Sequence, residues 1–363
     1  MLDRIEQKIE SGERLTFEDG LVLSRDPDLL RIGGMANRVR ETRHGNKAYY
    51  VVNQHINYSN ICKDVCLFCA FGKKREMDGA YELTLEEIYR KAEGLRASGA
   101  DEIHIVGGLH PDYPYDFYKE MLSGLRDRHP NVHLKTFTAV EIDYLAELSG
   151  LTIQGTLEDL REAGLQSMTG GGAEIFAPKV RKKICATKIS AERYMEIHGI
   201  AHRIGLRSTT TMLYGHIESD EDRVDHILRV RDQQDISGGF TAFIPLAFHP
   251  ANTHLAHLPG PTAVTDLRCI SVARLLLDNV DHIKSYWIMV GLKVAQLSLH
   301  YGADDIDGTV VEEHITHMAG ATSPQEVTEP DLRRLIEEAG RQPIRRDSLY
   351  NEVSRPTAQP AIG

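Results

Sequence analysis

The chain has 363 residues, of which 41% are hydrophobic and 26% charged, and a net charge of −11. This composition is typical of a folded globular protein, and the acidic balance argues against a broad nucleic-acid or membrane surface, since both need clustered Lys and Arg. The amphipathic start, MLDRIEQKIESGERLT, is not a signal peptide, and no apolar run reaches the roughly 18 residues of a membrane span. We therefore expect a cytoplasmic protein without a nucleic-acid or membrane partner.

Apolar segments alternate with amphipathic helices along most of the chain. One helix is predicted to begin at Thr84, where Thr84 and Glu87 form a capping-box pattern, and to end at Gly99. Another is predicted over Ala191–Ile204. The predicted strands are Tyr50–Tyr58, Glu102–Gly107, His133–Val140, Ser167–Gly170, Arg207–Tyr214, Phe240–Phe248 and Ile283–Val290, with a short one near Asp305–Thr309.

The strand–helix unit repeats about every 30–40 residues, which favours a parallel sheet closed into a TIM-type α/β barrel, full or partial. An open doubly wound sheet is the alternative, but no GxGxxG motif follows an early strand. We predict a helical segment over residues 1–45 packed on the barrel, a barrel core over 46–320, and a C-terminal helical extension and tail over 321–363.

Three of the five cysteines follow the first predicted strand. Cys62, Cys66 and Cys69 have the spacing Cys-x3-Cys-x2-Cys, in the position where such barrels carry active-site loops. Three thiolates hold three irons of a 4Fe–4S cubane and leave the fourth iron open to a chelating ligand from outside the protein. The amino and carboxylate groups of S-adenosylmethionine are such a ligand, and one electron from the cluster then yields a 5′-deoxyadenosyl radical.

Other uses of these cysteines stay open. A structural zinc site has four Cys or His ligands, and a ferredoxin-type cluster needs a fourth Cys, for which only the isolated Cys185 and Cys269 are available. Phe68, directly before the last Cys of the loop, favours the open cluster, because its ring can pack against adenine. A lone Phe is more often part of a core.

Seven segments in chain order carry a resemblance to a known family. They resemble the radical S-adenosylmethionine superfamily and, within it, the aminodeoxyfutalosine synthases of the futalosine route to menaquinone. The resemblance covers the chain from about Asn53 to Glu313. The segments are the cysteine loop, IVGGLHPDYPYDFY at 105–118, KTFTAVEI at 135–142, SMTGGGAEIF at 167–176, TMLYGHIES at 211–219, FIPLAFHPANTHLAHLPGP at 243–261 and GADDIDGTVVEEHITHMAG at 302–320.

The resemblance implies a reaction and its partners. The 5′-deoxyadenosyl radical would add to the enol-ether double bond of 3-[(1-carboxyvinyl)oxy]benzoate. Rearrangement and loss of the carboxylate as carbon dioxide or bicarbonate would give 6-amino-6-deoxyfutalosine, and S-adenosylmethionine would be consumed as a co-substrate. An external one-electron donor, such as flavodoxin or ferredoxin, is also implied.

Close relatives share much of this pattern, namely the dehypoxanthine futalosine cyclases and the subunit of deazaflavin synthase that couples tyrosine-derived radicals. The segments LAFHPANT at 246–253 and Asp305–Gly308 look like the versions in the synthases. The alternative from another class is an iron–sulfur electron carrier or sensor without catalysis.

Residues at strand ends are the candidates for cofactor binding. In the superfamily that the chain resembles, a Gly-Gly pair meets the methionine amino group, which points to Gly107 and Gly108; a tight turn is the alternative. Gly171 lies in a run of three glycines that lets backbone approach a ligand. Thr138 and Glu141 would contact ribose or methionine, unless Glu141 only caps a helix.

Three further residues are candidates for catalysis, namely His216, Glu218 and His249. Alternation places Tyr214, His216 and Glu218 on one face of the fifth predicted strand, and we expect that face to point into the barrel mouth. His216 would donate to a substrate carboxylate or move a proton, and His249 follows the next strand in a similar position. For both histidines a structural role is the alternative.

The dicarboxylate substrate that the resemblance implies needs cations in its pocket. Lys135 and Arg207 lie on predicted strands and are the candidates. The run Arg181–Lys183 is expected on a solvated helix face. His198 and His202 are expected on a helix surface rather than at a zinc site, since no third ligand lies nearby in sequence.

Overall fold

A computed structural model describes residues 1–64, 66–94, 99–311 and 313–353. Its strands are β1 (Lys47–Val51), β2 (Asn53–Ile56), β3 (Glu102–Ile105), β4 (His133–Thr136), β5 (Ser167–Met168), β6 (Arg207–Tyr214), β7 (Phe240–Ala247), β8 (His282–Ile283), β9 (Asp305–Gly308) and β10 (Gln342–Arg345).

The described helices begin with α1 (Leu2–Ser11), α2 (Phe17–Arg25) and α3 (Leu29–His44) before the first strand. The remaining helices are α4 (Leu85–Glu93), α5 (Tyr115–Arg128), α6 (Ala139–Ser149), α7 (Ile153–Ala163), α8 (Pro178–Ile184), α9 (Ala191–Arg203), α10 (Asp220–Ser237), α11 (Ala263–Leu276), α12 (Trp287–Val290), α13 (Leu292–Ser298), α14 (Ile315–Met318) and α15 (Glu329–Glu338).

Seven parallel strands form the main sheet, and β2 to β8 follow one another in chain order. Helices lie on the connections between these strands, because parallel neighbours need long crossovers. The hydrogen-bonded ladder runs from β2 to β8 without joining its two ends. This sheet confirms the TIM-type architecture in its partial form.

The gap between β8 and β2 is spanned by β9 and the residues after it. Lys284 forms a single parallel bridge with Asp305 on one side, and Gln54 forms one with Val311 on the other. The amide of His55 also donates to the Val311 carbonyl at 3.1 Å. Isolated contacts therefore close this part of the barrel, where a full barrel would have a continuous ladder.

A second, small sheet joins the C-terminal extension to the start of the core. Its order is β10–β1–β9, and β1 pairs in parallel with both neighbours. The predicted strand Tyr50–Tyr58 is therefore wrong as one element, because the chain leaves this sheet at Val52 and enters the main sheet with β2. The predicted domain boundaries stay a prediction.

The predicted strand Ile283–Val290 is wrong beyond its first residue. β8 ends there, and α12 begins with Trp287, whose indole N–H donates to the Gly308 carbonyl at 2.8 Å in the core. A short apolar run does not distinguish a buried strand from a buried helical turn. Here the buried indole and its hydrogen bond hold the segment as a helical turn.

The helix predicted from Thr84 has the expected capping box. The Glu87 amide donates to Thr84 Oγ1 at 3.3 Å, and the Thr84 amide donates to the Glu87 carboxylate at 2.8 Å. Helix α4 is described to Glu93, and residues 95–98 of the predicted helix lie outside the described residues, as does the predicted tail from residue 354. Within the described ranges, no helix has both the length and the apolar character needed to cross a bilayer.

Candidate active site

A cavity of about 380 Å³ lies at the carboxyl ends of the main-sheet strands and extends between the strands into the barrel. Ligand sites of parallel barrels occupy this end, because the loops that follow the strands meet there. Every residue that the sequence analysis selected for cofactor, metal or catalysis lines the cavity, except His216 and Glu218. The lining residues from that selection are Cys62, Cys66, Phe68, Cys69, Gly107, Gly108, Thr138, Glu141, Gly171 and His249.

The three cysteines of the loop after β2 form one wall of the cavity. The Leu109 amide donates to Cys62 Sγ at 3.4 Å, and the Gly72 amide donates to Cys69 Sγ at 3.3 Å. Burial raises the pKa of the Cys62 and Cys66 thiols, so a bound metal is needed to hold them as thiolates at neutral pH. Amides directed at the sulfurs stabilise thiolate charge. The loop therefore fits a cluster held by three thiolates.

No fourth cysteine lines the cavity within the described part of the chain. Cys185 and Cys269 are both buried, and neither belongs to the cavity wall. A ferredoxin-type cluster with four Cys ligands has no support in this geometry.

Phe68 lies next to a buried ion pair that the sequence did not indicate. The Lys188 ammonium is 5.2 Å from the centre of the Phe68 ring and 2.6 Å from Glu174 Oε1. Burial opposes the charge on Lys188, but the Glu174 carboxylate raises the pKa of Lys188 well above its ordinary value. The cysteine end of the cavity thus carries an ammonium, held in a salt bridge with Glu174, beside an aromatic face.

Gly107 and Gly108 are required by packing rather than by backbone conformation. Neither has a positive φ, so the tight-turn alternative is wrong. A Cβ on Gly107 would lie 2.5 Å from the Tyr58 ring, and one on Gly108 would lie 2.3 Å from the Ile61 carbonyl oxygen. The absence of side chains lets the turn after β3 lie directly against the cysteine loop.

Thr138 and Glu141 form a capping box at the start of α6, as the alternative interpretation of Glu141 predicted. The Glu141 amide donates to Thr138 Oγ1 at 3.2 Å, and the Thr138 amide donates to Glu141 Oε2 at 2.7 Å. Oε1 accepts from the Gly107 amide at 3.1 Å and from the Tyr58 hydroxyl at 2.8 Å. Glu141 thus joins α6 to the glycine pair, and a direct contact of Glu141 with a cofactor stays a prediction.

The glycine run after β5 lies against neighbouring backbone. A Cβ on Gly170 would lie 2.7 Å from the backbone of Thr210, and one on Gly171 would lie 3.1 Å from Thr138 Cγ2. The expectation of a solvated Arg181 is wrong, because this side chain is buried and donates to backbone carbonyls of the loop after the run. Arg181 therefore fixes the path of the glycine segment.

His249 is the predicted catalytic residue that the structure places in the cavity wall. Its Nε2–H donates to the Met289 carbonyl at 2.8 Å, so this contact leaves Nδ1 available to another partner. A catalytic role for His249 stays a prediction.

The face predicted to point inward on β6 is the wrong one. Thr209, Thr211 and Leu213 line the cavity, so alternation directs Tyr214 away from it. The Tyr214 hydroxyl donates to Asp266 Oδ1 at 2.8 Å in the outer layer of the barrel.

His216 and Glu218 lie in the turn after β6 and are almost completely buried there. The Nε2–H of His216 donates to the Leu213 carbonyl at 3.1 Å, and burial lowers the pKa of His216. The Glu218 carboxylate accepts from the Gly215 and His216 amides at 2.7 and 2.9 Å and pairs with Arg223 at 2.7 Å. These contacts hold the turn, so the structure does not bring either residue to the cavity.

Asp266 provides a test of stability outside the site. Burial raises its pKa from 3.8 to about 6. The folded state therefore binds this proton more tightly than the unfolded chain, and the resulting stability is full below pH 3.8 and is lost as the pH rises through about 6. We expect Asp266→Asn, which keeps an acceptor for Tyr214, to raise the unfolding free energy by about 1–2 kcal/mol at pH 8 and to change little at pH 4.

Urea unfolding of the reconstituted protein at both pH values measures this difference. The matched control is Asp232→Asn, since Asp232 is exposed and should respond little at either pH. Equal stabilisation of the Asp266 variant at both pH values would contradict the assignment of a charge penalty to Asp266.

The two cations predicted for substrate binding lie in one row of the sheet, but only one faces the cavity. Lys135, Ser167 and Arg207 are in register across β4, β5 and β6. Lys135 is buried and lines the cavity. Arg207 is exposed and donates to the Gly238 carbonyl. The prediction that Arg207 lies in the substrate pocket is therefore wrong.

His198 and His202 are not on a helix surface. One ring nitrogen of each lies 2.8 Å from Ser208 Oγ, and His198 is fully buried. Burial lowers the pKa of both rings, so they are neutral structural histidines.

Two sequence families together cover most of the chain. The radical SAM superfamily matches residues 56–230, which contain the cysteine loop, and the CofH/MqnC C-terminal region matches residues 237–359. The aminodeoxyfutalosine synthase of Thermus thermophilus is 45% identical over 96% of this chain and 95% of its own. That of Streptomyces coelicolor is 42% identical over 95% of this chain and 92% of its own. The chain belongs to the aminodeoxyfutalosine synthase family of radical SAM enzymes.

Solved structures support the same architecture. Methylornithine synthase is 19% identical, with a TM-score of 0.75 over 93% of this chain and 97% of its own. The FeFe-hydrogenase maturase HydG of Carboxydothermus hydrogenoformans is 16% identical, with a TM-score of 0.73 over 96% of this chain and 80% of its own. At these identities the likeness shows the fold alone.

Membership in the radical SAM superfamily implies a 4Fe–4S cluster and S-adenosylmethionine, and Cys62, Cys66 and Cys69 lie in the matched region. The cavity of this aminodeoxyfutalosine synthase family member also contains charged residues that the sequence analysis missed. Lys284 follows β8 and donates to Asp307 of β9 at 2.7 Å. No spacing pattern in the sequence links Lys284 to Asp307, and Lys284 lies inside the segment that was predicted as one strand over Ile283–Val290.

Proposed function

We propose that the protein forms 6-amino-6-deoxyfutalosine from S-adenosylmethionine and 3-[(1-carboxyvinyl)oxy]benzoate in the futalosine route to menaquinone. The observation that carries this proposal is the 45% identity to an aminodeoxyfutalosine synthase over nearly the whole chain. The cavity, which joins three cysteines to glycine turns and buried cations, is consistent with it.

Cys62, Cys66 and Cys69 would hold the cluster in this reaction. When bound, the cluster supplies the electron that splits S-adenosylmethionine into methionine and the 5′-deoxyadenosyl radical. We propose that a protein such as flavodoxin or ferredoxin delivers that electron. The amides of Leu109 and Gly72 donate to the cysteine sulfurs and so stabilise their negative charge.

The remaining cavity residues would position the co-substrates and exclude water. The glycine pair brings backbone next to the cysteine loop, and Glu141 holds that backbone through the Gly107 amide. The Phe68 ring offers a flat apolar surface suited to adenine, with Lys188 fixed beside it for an anionic group. Apolar residues of the cavity wall, such as Leu109, Val140 and Leu213, would limit the access of water to the reacting groups.

Anaerobic incubation with reductant, S-adenosylmethionine and the enolpyruvyl benzoate, followed by mass analysis, tests the proposal. Aminodeoxyfutalosine is the expected product. Plain 5′-deoxyadenosine would instead indicate a relative that abstracts hydrogen, and an unchanged spectrum of the reduced cluster on addition of S-adenosylmethionine would favour an electron carrier.

One related activity is the second candidate. The 5-amino-6-(D-ribitylamino)uracil–L-tyrosine 4-hydroxyphenyl transferase of Methanopyrus kandleri is 38% identical over 95% of this chain and 94% of its own. The same assay with tyrosine and the ribitylaminouracil in place of the enolpyruvyl benzoate distinguishes the two activities. Coupling of tyrosine to the ribitylaminouracil, without formation of aminodeoxyfutalosine from the enolpyruvyl benzoate, would favour the transferase.

A further inference from the structure

The deep end of the cavity is charged. His55, His104 and Lys135 are in register on β2, β3 and β4, and Lys284 lies directly after β8. All four line the cavity, and we call them the cavity floor. The interior of a packed barrel is filled mainly by branched apolar side chains. A row of polar side chains that includes the Lys135 ammonium is therefore suited to a polar ligand, because a buried polar group needs a partner.

The floor lies below the cysteine end of the cavity. His104 precedes Gly107 by three residues, which corresponds to about 10 Å along an extended segment. The ladder continues past β3, because the Val106 amide donates to the Ile56 carbonyl at 3.3 Å. Because both regions line the same cavity, a ligand there can have one end beside the glycine pair and the other at the floor.

Lys135 has no hydrogen-bond partner among the residues that the structure describes. Its side chain is buried, and its ion-pair partner Glu102 lies 3.8 Å away, beyond hydrogen-bond distance. Glu102 already accepts from the Ser348 hydroxyl at 2.7 Å. A buried ammonium needs acceptors for its N–H groups. Because Lys135 lines the cavity, a ligand bound there can supply such an acceptor.

The other charges around the floor are already paired. Lys284 donates to Asp307 at 2.7 Å, and Arg346 donates to Asp305 at 2.5 Å. His55 stacks on His104 with ring centres 4.5 Å apart, and burial lowers the pKa of His55 to about 3, so His55 is neutral. Among the floor residues that the structure describes, Lys135 is therefore the cation whose ammonium donates to no protein acceptor.

We propose that Lys135 binds the benzoate carboxylate of the substrate and selects for that charge. This inference rests on the proposed function. In 3-[(1-carboxyvinyl)oxy]benzoate the aromatic ring separates that carboxylate from the enol ether. A benzoate carboxylate bound to Lys135 at the floor would therefore direct the reacting double bond towards the cysteines. The ammonium donates charge-assisted hydrogen bonds to the carboxylate, and burial strengthens them.

The test compares the substrate with its neutral analogue, 3-[(1-carboxyvinyl)oxy]benzamide, which keeps the reacting end. Dissociation constants are measured by anaerobic calorimetry on reconstituted enzyme with S-adenosylmethionine and without reductant, so that no turnover occurs. We expect wild-type protein to bind the benzoate at least about tenfold more tightly than the benzamide, and Lys135→Met to lose this preference. Arg207→Gln is the matched control and should keep it, because Arg207 lies in the same row but is exposed.

A preference that survives in Lys135→Met, or an equal loss of affinity for both ligands, would overturn the inference. Because Lys135→Met leaves Glu102 buried without its partner, the double variant Lys135→Met/Glu102→Gln provides a second measurement with neutral groups at both positions. The same loss of preference is expected there, and retention of the preference would overturn the inference.

Failure of the proposed reaction is distinguishable from failure of this inference. If wild-type protein prefers the benzoate and Lys135→Met loses that preference, but wild-type protein forms no aminodeoxyfutalosine on reduction, the proposed reaction is wrong and the assignment of Lys135 stands. If the product forms but wild-type protein shows no preference between benzoate and benzamide, the assignment of Lys135 is wrong and the reaction stands.

Discussion

Cys66→Ala is expected to remove all measurable turnover and to leave the barrel folded. The substitution deletes one of the three thiolates that hold the cluster, and the described chain offers no other cysteine in the cavity wall. Cys66 is buried in the core, so loss of its sulfur costs only roughly 1 kcal/mol of unfolding free energy. Iron content and product formation after anaerobic reconstitution measure the first effect, and circular dichroism measures the second.

Cys269→Ala is the matched control, because Cys269 is similarly buried but does not line the cavity. It should retain wild-type iron content and turnover. Full activity of the Cys66 variant would refute the ligand assignment. Zinc, or a cubane ligated by protein at all four irons, in anaerobically purified wild-type protein would refute the open cluster.

Gly108→Ala is expected to lower turnover on the order of a hundredfold, because displacement of a catalytic loop by about 1 Å is enough for such a loss. The new Cβ would lie 2.3 Å from the Ile61 carbonyl oxygen and 3.1 Å from Cys62 Cβ, and the first of these atoms is backbone that cannot rotate away. The turn after β3 also donates to the Ser59 carbonyl through the Gly108 amide at 2.8 Å. Relief of the clash must therefore move the cysteine loop, and iron content should fall with activity.

Gly94→Ala is the control for this substitution. Gly94 has a φ of −62°, and a Cβ there would meet no atom within 4 Å. Its turnover and iron content should match those of wild-type protein. A Gly108 variant with normal iron content and normal turnover would show that the two loops are free to separate without consequence.

The features that were predictable from sequence are those that depend on local spacing. Cys62, Cys66 and Cys69 are close in the chain, so their joint presence at one site follows from their spacing and from the strand before them. The capping box of Thr84 and Glu87 is local in the same way. The parallel barrel follows from repeated strand–helix units, since each unit requires a long crossover.

The predictions that proved wrong concern the direction of side chains and the pairing of residues that are far apart in the chain. A shift of one residue along β6 exchanges its two faces, so Tyr214 and the turn with His216 and Glu218 lie outside the cavity that Thr211 and Leu213 line. Nothing in the local sequence distinguishes these two faces, because strand β6 is buried on both.

The sequence by itself determined the three-cysteine loop, the barrel class and the family, because all three depend on the order and spacing of residues along the chain. Only the tertiary structure decided which cations face the cavity. Lys135 and Arg207 lie in one register row, yet Lys135 is buried at the cavity floor and Arg207 is exposed. Arg207 begins β6 and donates to the Gly238 carbonyl, a contact between distant residues that local spacing does not encode.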